Sequence, residues 1–176
     1  MEDERLALLR EHIRDVPDFP KAGIMFKDIT PLLAHPRAFT TAIDLMAERW
    51  AEHRIDAIVG IESRGFLFGA PLATRMLAAF IPARKPGKLP YLRDRVEYKL
   101  EYGTDSLEMH KGSLGPSSRV LVVDDVIATG GTAWAAIELA RGQGATVVGA
   151  AFAIELAFLG GAKRLEPVPH SALLVY

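Results

Sequence analysis

The 176-residue chain contains no cysteine, which excludes disulfides and thiolate metal sites. No apolar run reaches the roughly 20 residues of a membrane-spanning helix, so a membrane is not expected as a partner. The opening MEDERLALLR is charged and lacks the apolar stretch of a signal peptide. With 21 basic and 22 acidic residues the net charge is −1, so there is no global basic field to hold a nucleic-acid polymer. There is no G-x-x-x-x-G-K-[ST] loop, which removes the P-loop kinase and ATPase readings. The expectation is a cytoplasmic enzyme or binding protein, with residues 1–176 forming one well-buried domain.

One stretch then organises the rest, RVLVVDDVIATGGT at 119–132. Val120, Leu121, Val122 and Val123 form a short apolar run without alternation, the pattern of a strand buried on both faces. Asp124 and Asp125 stand where that strand should end, and Thr129, Gly130, Gly131 and Thr132 lead into an alanine-rich helical segment at 133–141. A strand, a small-residue turn and a helix start converge free backbone N–H groups on one point, and the helix dipole adds positive potential there. The glycines admit a close ligand and the threonines add hydroxyl donors, so the turn reads as a phosphate site. Two carboxylates beside a phosphate suit ribose hydroxyls or a hydrated Mg²⁺, which together mean a sugar phosphate or a nucleotide. The bland alternative is an ordinary Gly-Gly turn between a strand and a helix.

Elsewhere strands and helices alternate. Leu6, Leu9 and Ile13 share one face of a helix expected over 3–14. Residues 16–33 hold Pro17, Pro20, Gly23 and Pro31, so an ordered loop is expected there. Its Phe19, Ile24, Met25 and Phe26 either pack on the core or cover a ligand. Phe39, Ile43, Met46 and Trp50, spaced four, three and four apart, predict an amphipathic helix over 36–50. A buried strand at 55–60 runs into Glu62, Ser63, Arg64 and Gly65, then a helix over 66–78 that contains Pro71. Arg64 there is either a planar clamp for a pyrophosphate or a surface arginine beside a capping serine. A strand at 79–83 precedes Arg84, Lys85 and Lys88, either a solvated turn or an electrostatic clamp beside an anion site. Residues 89–111 are polar and tyrosine-bearing, without clear core anchors. Val96, Tyr98 and Leu100 alternate as in a β-ribbon, and so long an excursion suggests a lid. Further strands are expected at 145–154 and 171–176, giving an α/β domain with a mainly parallel central sheet flanked by helices.

Asp-Asp followed by A-T-G-G-T resembles the phosphoribosyl-pyrophosphate motif of type I phosphoribosyltransferases. PDFPKAGIMFKDITPLL, GIESRGFLFG, RKPGKLP and YKLEYGTDSLEMH occur in order with it. From about residue 15 to the C-terminus, the chain resembles the adenine phosphoribosyltransferase family. The resemblance implies the type I phosphoribosyltransferase fold with an N-terminal hood (about 1–35) and a flexible lid loop (about 85–111). It also implies purine salvage: adenine and 5-phosphoribosyl 1-pyrophosphate give AMP and pyrophosphate, in a cytoplasmic homodimer. Mg²⁺ is the implied cofactor, carried on the pyrophosphate with no direct protein ligand.

Matched residue by residue, Ala128, Thr129, Gly130, Gly131 and Thr132 take the 5′-phosphate, and Asp124 and Asp125 the ribose hydroxyls. Ser63 and Arg64 match the pyrophosphate site, with Arg64 also counted as catalytic. Lys85 and Lys88 match the basic stretch near that pyrophosphate, reached from the same or a neighbouring subunit. Met25, Phe26 and Lys27 match the hood over adenine, Glu101 the lid carboxylate that handles the purine ring proton, and Tyr102 its neighbour in lid closure. Two positions depart from the pattern: Ala22 stands where many members have Pro, and Lys27 where others have Arg. A rival reading is a regulator that binds the sugar pyrophosphate without catalysis, against which stand the lack of a spare domain and the near-zero charge. Hypoxanthine and guanine enzymes carry a Lys near the strand after the phosphate motif, and residues 147–156 have none.

Overall fold

The computed structural model describes residues 2–99 and 104–176, which divide into two compact units, Met1–Leu45 and Met46–Tyr176. In the first unit, helix α1 (Glu2–Glu11) is followed by strands β1 (Arg14–Pro17) and β2 (Met25–Asp28), then helix α2 (Thr30–Ala34). β1 and β2 pair antiparallel, with Arg14 opposite Asp28 and Pro17 opposite Met25. Segment 16–33 is therefore a small hairpin and a short helix rather than a loop, and the first helix stops earlier than expected. β1 is largely exposed and β2 half-buried with no buried residue, so neither shows the apolar alternation that marks a strand in sequence. The turn between them is made by Gly23 at φ +85°, whose N–H donates to Asp18 Oδ1 at 2.7 Å. Helix α3 (Pro36–Arg49) follows, and Ile43 and Met46 on its expected face are buried.

The second unit is built on a sheet. Its elements in order are β3 (Ala57–Ile61), α4 (Gly65–Met76), β4 (Ala79–Ala83), β5 (Arg93–Lys99), β6 (Thr104–His110), β7 (Arg119–Ile127), α5 (Gly131–Gly142), β8 (Thr146–Glu155), a one-turn 3-10 helix (Ala157–Leu159), α6 (Gly161–Leu165) and β9 (His170–Val175). Five strands pair in parallel in the order β4-β3-β7-β8-β9. The chain steps outward from β3 to β4 on one side and from β7 to β8 to β9 on the other. The carboxyl ends of β3 and β7 thus flank the point where the order reverses, which is where an open α/β sheet binds ligands. Val120 to Val123 are fully buried, as their unbroken apolar run requires. β7 does not end at the carboxylates. Asp124 still pairs with Phe152 and Val126 with Ile154, so both aspartates are held by the sheet.

β5 and β6 form the expected ribbon, with Arg93 opposite His110 and Lys99 opposite Thr104. It is anchored, contrary to expectation. Tyr98, Leu107 and Met109 are buried in the same apolar cluster as Val120, Ala136 and Leu139. The ribbon is also tied to both ends of α5. Near its base, Gln143 Nε2 donates to Asp94 Oδ2 at 3.0 Å and to the His110 carbonyl at 2.8 Å. Near its other end, Thr132 Oγ1 donates to the Tyr98 hydroxyl at 3.3 Å.

Candidate active site

The turn between β7 and α5 stands where the sequence places it. Gly130 sits at φ +76°, a conformation open to glycine, and caps α5. Asp124, Val126 to Thr132 and Ala133 line a small pocket of 80 Å³. The turn is braced by a segment far along the chain. A methyl group on Gly130 would lie 2.4 Å from the Gly161 carbonyl oxygen, and one on Gly161 would lie 2.2 Å from the Ala128 carbonyl oxygen. The two backbones touch directly, and side chains on either glycine would separate them.

Next to the turn stands the carboxylate pair. Asp124 is half-buried and Asp125 is 3% exposed. Asp125 N–H donates to Asp124 Oδ1 at 2.8 Å, and Arg64 Nε lies 3.0 Å from Asp125 Oδ2. The start of α4 reaches this point because Gly65 has no side chain: a methyl there would meet the Val123 carbonyl at 2.8 Å. Burial, followed by the charge of Asp125, pushes the Asp124 carboxyl well above its ordinary range, with Arg64 opposing. Folding therefore disfavours ionised Asp124. Its contribution to stability is intact below the ordinary carboxylate range and is lost as pH rises through the raised value. Asp124→Asn should melt higher than wild type at pH 8. The gap should close toward pH 3 while binding of a ribose donor weakens. Melting scans across pH check this, and a lower melting point at pH 8 would contradict it.

These carboxylates share a second cavity of 360 Å³ with Glu62, Ser63, Arg64, Lys85, Val126, Ala128 and Thr132. The structure thus brings together Ser63, Arg64, Lys85, Asp124, Asp125, Ala128 and Thr132 from the sequence-derived set. Lys88 is exposed on the neighbouring loop, its carbonyl accepting from Arg84 at 3.2 Å. The basic loop is shaped by carboxylates that sequence reasoning did not single out as a scaffold. Glu62 accepts from Arg84 at 3.1 Å and from the Lys85 N–H at 2.8 Å. Burial raises the Glu62 pKa, but those two donors outweigh it and hold the carboxyl below its ordinary range. Glu108 accepts from Gly87 N–H at 3.1 Å and pairs with Arg93 at 3.0 Å. Lys85 Nζ is ion-paired with Asp105 and donates to Tyr98 at 2.8 Å. Burial pulls Lys85 down, yet Asp105 and Tyr98 together hold it above the ordinary lysine value. For Asp105, burial acts upward and is outweighed by Lys85 and the Ser106 N–H. A wider open depression of 660 Å³ beside Pro90, Tyr91 and Arg93 has no helix start or carboxylate pair.

The hood residues lie on β2 of the first unit. Met25 is 46% exposed. Phe26 meets Phe19 edge-on at 5.0 Å. Lys27 Nζ donates to Asp15 at 2.6 Å, so its ammonium is engaged within the hairpin. Glu101 and Tyr102 fall outside the described residues.

The profile of the phosphoribosyl transferase domain family matches residues 28–170. An adenine phosphoribosyltransferase of Sorangium cellulosum is 61% identical over 174 residues, covering 99% of this chain and 87% of that protein. The crystal structure of adenine phosphoribosyltransferase from Thermoanaerobacter pseudethanolicus superposes with a TM-score of 0.95 at 47% identity, covering 97% of this chain and 99% of that one. The Saccharomyces cerevisiae enzyme, crystallised with adenine and an imino-altritol 1,6-bisphosphate, superposes at 0.92 and 40% identity, covering 98% and 99%. The topology, the phosphate turn after β7 and these likenesses agree: the chain belongs to the adenine phosphoribosyltransferases of the phosphoribosyl transferase family.

Proposed function

We propose that the protein transfers the phosphoribosyl group of 5-phosphoribosyl 1-pyrophosphate to adenine, releasing AMP and pyrophosphate. The observation that carries this reading is the convergence of phosphate turn, carboxylate pair, Arg64 and Lys85 on one 360 Å³ cleft at the reversal point of the sheet. The turn residues Ala128, Thr129, Gly130, Gly131 and Thr132 hold the 5′-phosphate, and Asp124 and Asp125 accept from the ribose hydroxyls. Ser63, Arg64 and Lys85, with Lys88 nearby, receive the pyrophosphate. Met25, Phe26 and Lys27 cover adenine. With the Lys27 ammonium drawn to Asp15, its backbone is the part that reads the base edge.

The bond that breaks joins the anomeric carbon to a pyrophosphate oxygen, and the bond that forms joins that carbon to a ring nitrogen of adenine. Positive charge grows on the ribose and negative charge on the leaving group, so Arg64 and Lys85 act where charge develops. The ring proton of adenine passes to Glu101 as general base. Tyr102, outside the described residues, accompanies closure of the lid, which keeps water from the activated donor. Asp124 and Asp125 fit a hydrated Mg²⁺ that arrives on the donor, because Asp125 Oδ2 is buried without a hydrogen-bond donor beyond its Arg64 ion pair. When bound, that ion neutralises charge on the departing pyrophosphate. The same reading makes the protein a cytoplasmic homodimer, with the hood belonging to one catalytic domain.

Labelled adenine, hypoxanthine and guanine incubated separately with the donor and Mg²⁺ test the proposal. AMP formed from adenine alone is expected. Turnover of hypoxanthine instead would overturn the base assignment, and donor binding without turnover would point to a regulator.

A further inference from the structure

Tyr98 has no part in the mechanism above, yet its hydroxyl joins both anion-binding elements of the cleft. Lys85 Nζ donates to it at 2.8 Å from the pyrophosphate side. Thr132 Oγ1 donates to it at 3.3 Å from the phosphate turn. The hydroxyl's own proton goes to Asp105 at 3.1 Å. One phenol offers one donor and two acceptor positions, and all three are taken. The ring is equally placed: it is 3% exposed, and its edge would lie 3.2 Å from a methyl group on Gly131. Asp105 completes the arrangement by pairing with the same ammonium that Tyr98 accepts from. Tyr98 comes from β5 and Asp105 from β6, directly opposite in the ribbon register. The pair is thus presented by a two-stranded antiparallel stem.

We propose that Tyr98 and Asp105 are positioning residues that lock Lys85 to the phosphate turn, so that the two anionic ends of one donor molecule are bound as a unit. The lock fixes the separation between a lysine, which is by itself a flexible point charge, and the Thr132 end of the turn, whose backbone N–H groups remain free to meet an anion. A donor carrying a phosphate at one end and a diphosphate at the other is recognised by that separation. A single phosphate or a neutral base is not. The inference rests on the assignment of the cleft to a sugar pyrophosphate.

Tyr98→Phe keeps the buried ring and deletes the hub, and Asp105→Asn keeps the shape and deletes the charge. For each, KM for the donor should rise about tenfold, the loss of a hydrogen bond to a charged group, while KM for adenine stays within about twofold. In a Lys85→Ala background the Tyr98→Phe effect should largely vanish, because the two act through one contact. In Asp105→Asn the alkaline limb of inorganic pyrophosphate binding should move to lower pH, since Lys85 loses the partner that holds its proton. Equal changes in KM for both substrates, or additive effects with Lys85→Ala, would overturn the lock. Asp105→Asn carries the test if Tyr98→Phe fails to fold. Stabilisation by inorganic pyrophosphate in thermal melts separates the two readings. A shift lost in Tyr98→Phe in a protein that does not use adenine leaves the lock standing and removes the base assignment. A shift unchanged in a protein that makes AMP does the reverse.

Discussion

Arg64→Ala should lower kcat/KM for the sugar pyrophosphate by about 10³-fold, the upper range for removing one charge-stabilising donor from a reaction centre. Two effects combine. The guanidinium leaves the side of the cleft where the leaving group gathers negative charge. Asp125, 3% exposed, also loses the cation 3.0 Å from its Oδ2. An unpaired buried carboxylate is costly, so the variant should also melt lower than wild type. Arg64→Lys should recover less than tenfold, because an ammonium cannot present a planar fork to Asp125 and a phosphate oxygen together. Steady-state kinetics with the donor varied decide the matter. A loss below tenfold in Arg64→Ala would remove Arg64 from the reaction centre.

Gly161→Ala is expected to cost about 10²-fold in kcat/KM for the same substrate, although Gly161 lies well along the chain from the phosphate turn. Its added methyl would sit 2.2 Å from the Ala128 carbonyl oxygen and 2.7 Å from Gly130 N. Both are backbone atoms of the turn, so no rotamer change relieves the clash and the turn must shift by about an ångström. A misplacement of that size in a binding constellation costs about 10²-fold. Gly160→Ala is the control. A methyl at Gly160 meets open space, and the left-handed backbone at φ +67° costs about 1–2 kcal/mol of stability. It should lower the melting point and leave AMP affinity nearly unchanged. AMP titrations on both variants, read beside their melts, separate a displaced turn from a weakened fold. Equal AMP affinity in the two would show that the brace is dispensable.

Much of the site was legible because its parts are contiguous. Val120 to Val123 need a strand buried on both faces, and the following carboxylates, threonines and glycines must then collect at a helix start. The strand Ala79–Ala83 and the buried face of α3 were legible for the same reason, since their patterns are local. What escaped depends on partners distant in sequence. Nothing around Gly161 says that it touches Gly130. A lone Asp105 in a polar ribbon gives no sign that it faces Lys85. The anchors Tyr98, Leu107 and Met109 were hidden among charged neighbours that point to the other face. β1 and β2 were missed because these two short strands, with no buried residue, owe their pairing to each other rather than to an apolar face. Arg14 and Asp28, 2.6 Å apart at the end of the register, mark that pairing only after folding.

The carboxylates that shape the basic loop also bear on how a ligand arrives. Arg64, Arg84 and Lys85 are matched by Asp125, Glu62 and Asp105 at contact distance, and the chain as a whole carries a net charge of −1. Beyond a Debye length, about 8 Å at physiological ionic strength, such pairs cancel and the cleft projects little field. An anionic donor is therefore not drawn in from a distance. It meets the protein at the pace of an unsteered encounter and is selected after contact, so ionic strength acts on how long the complex lasts more than on how often it forms.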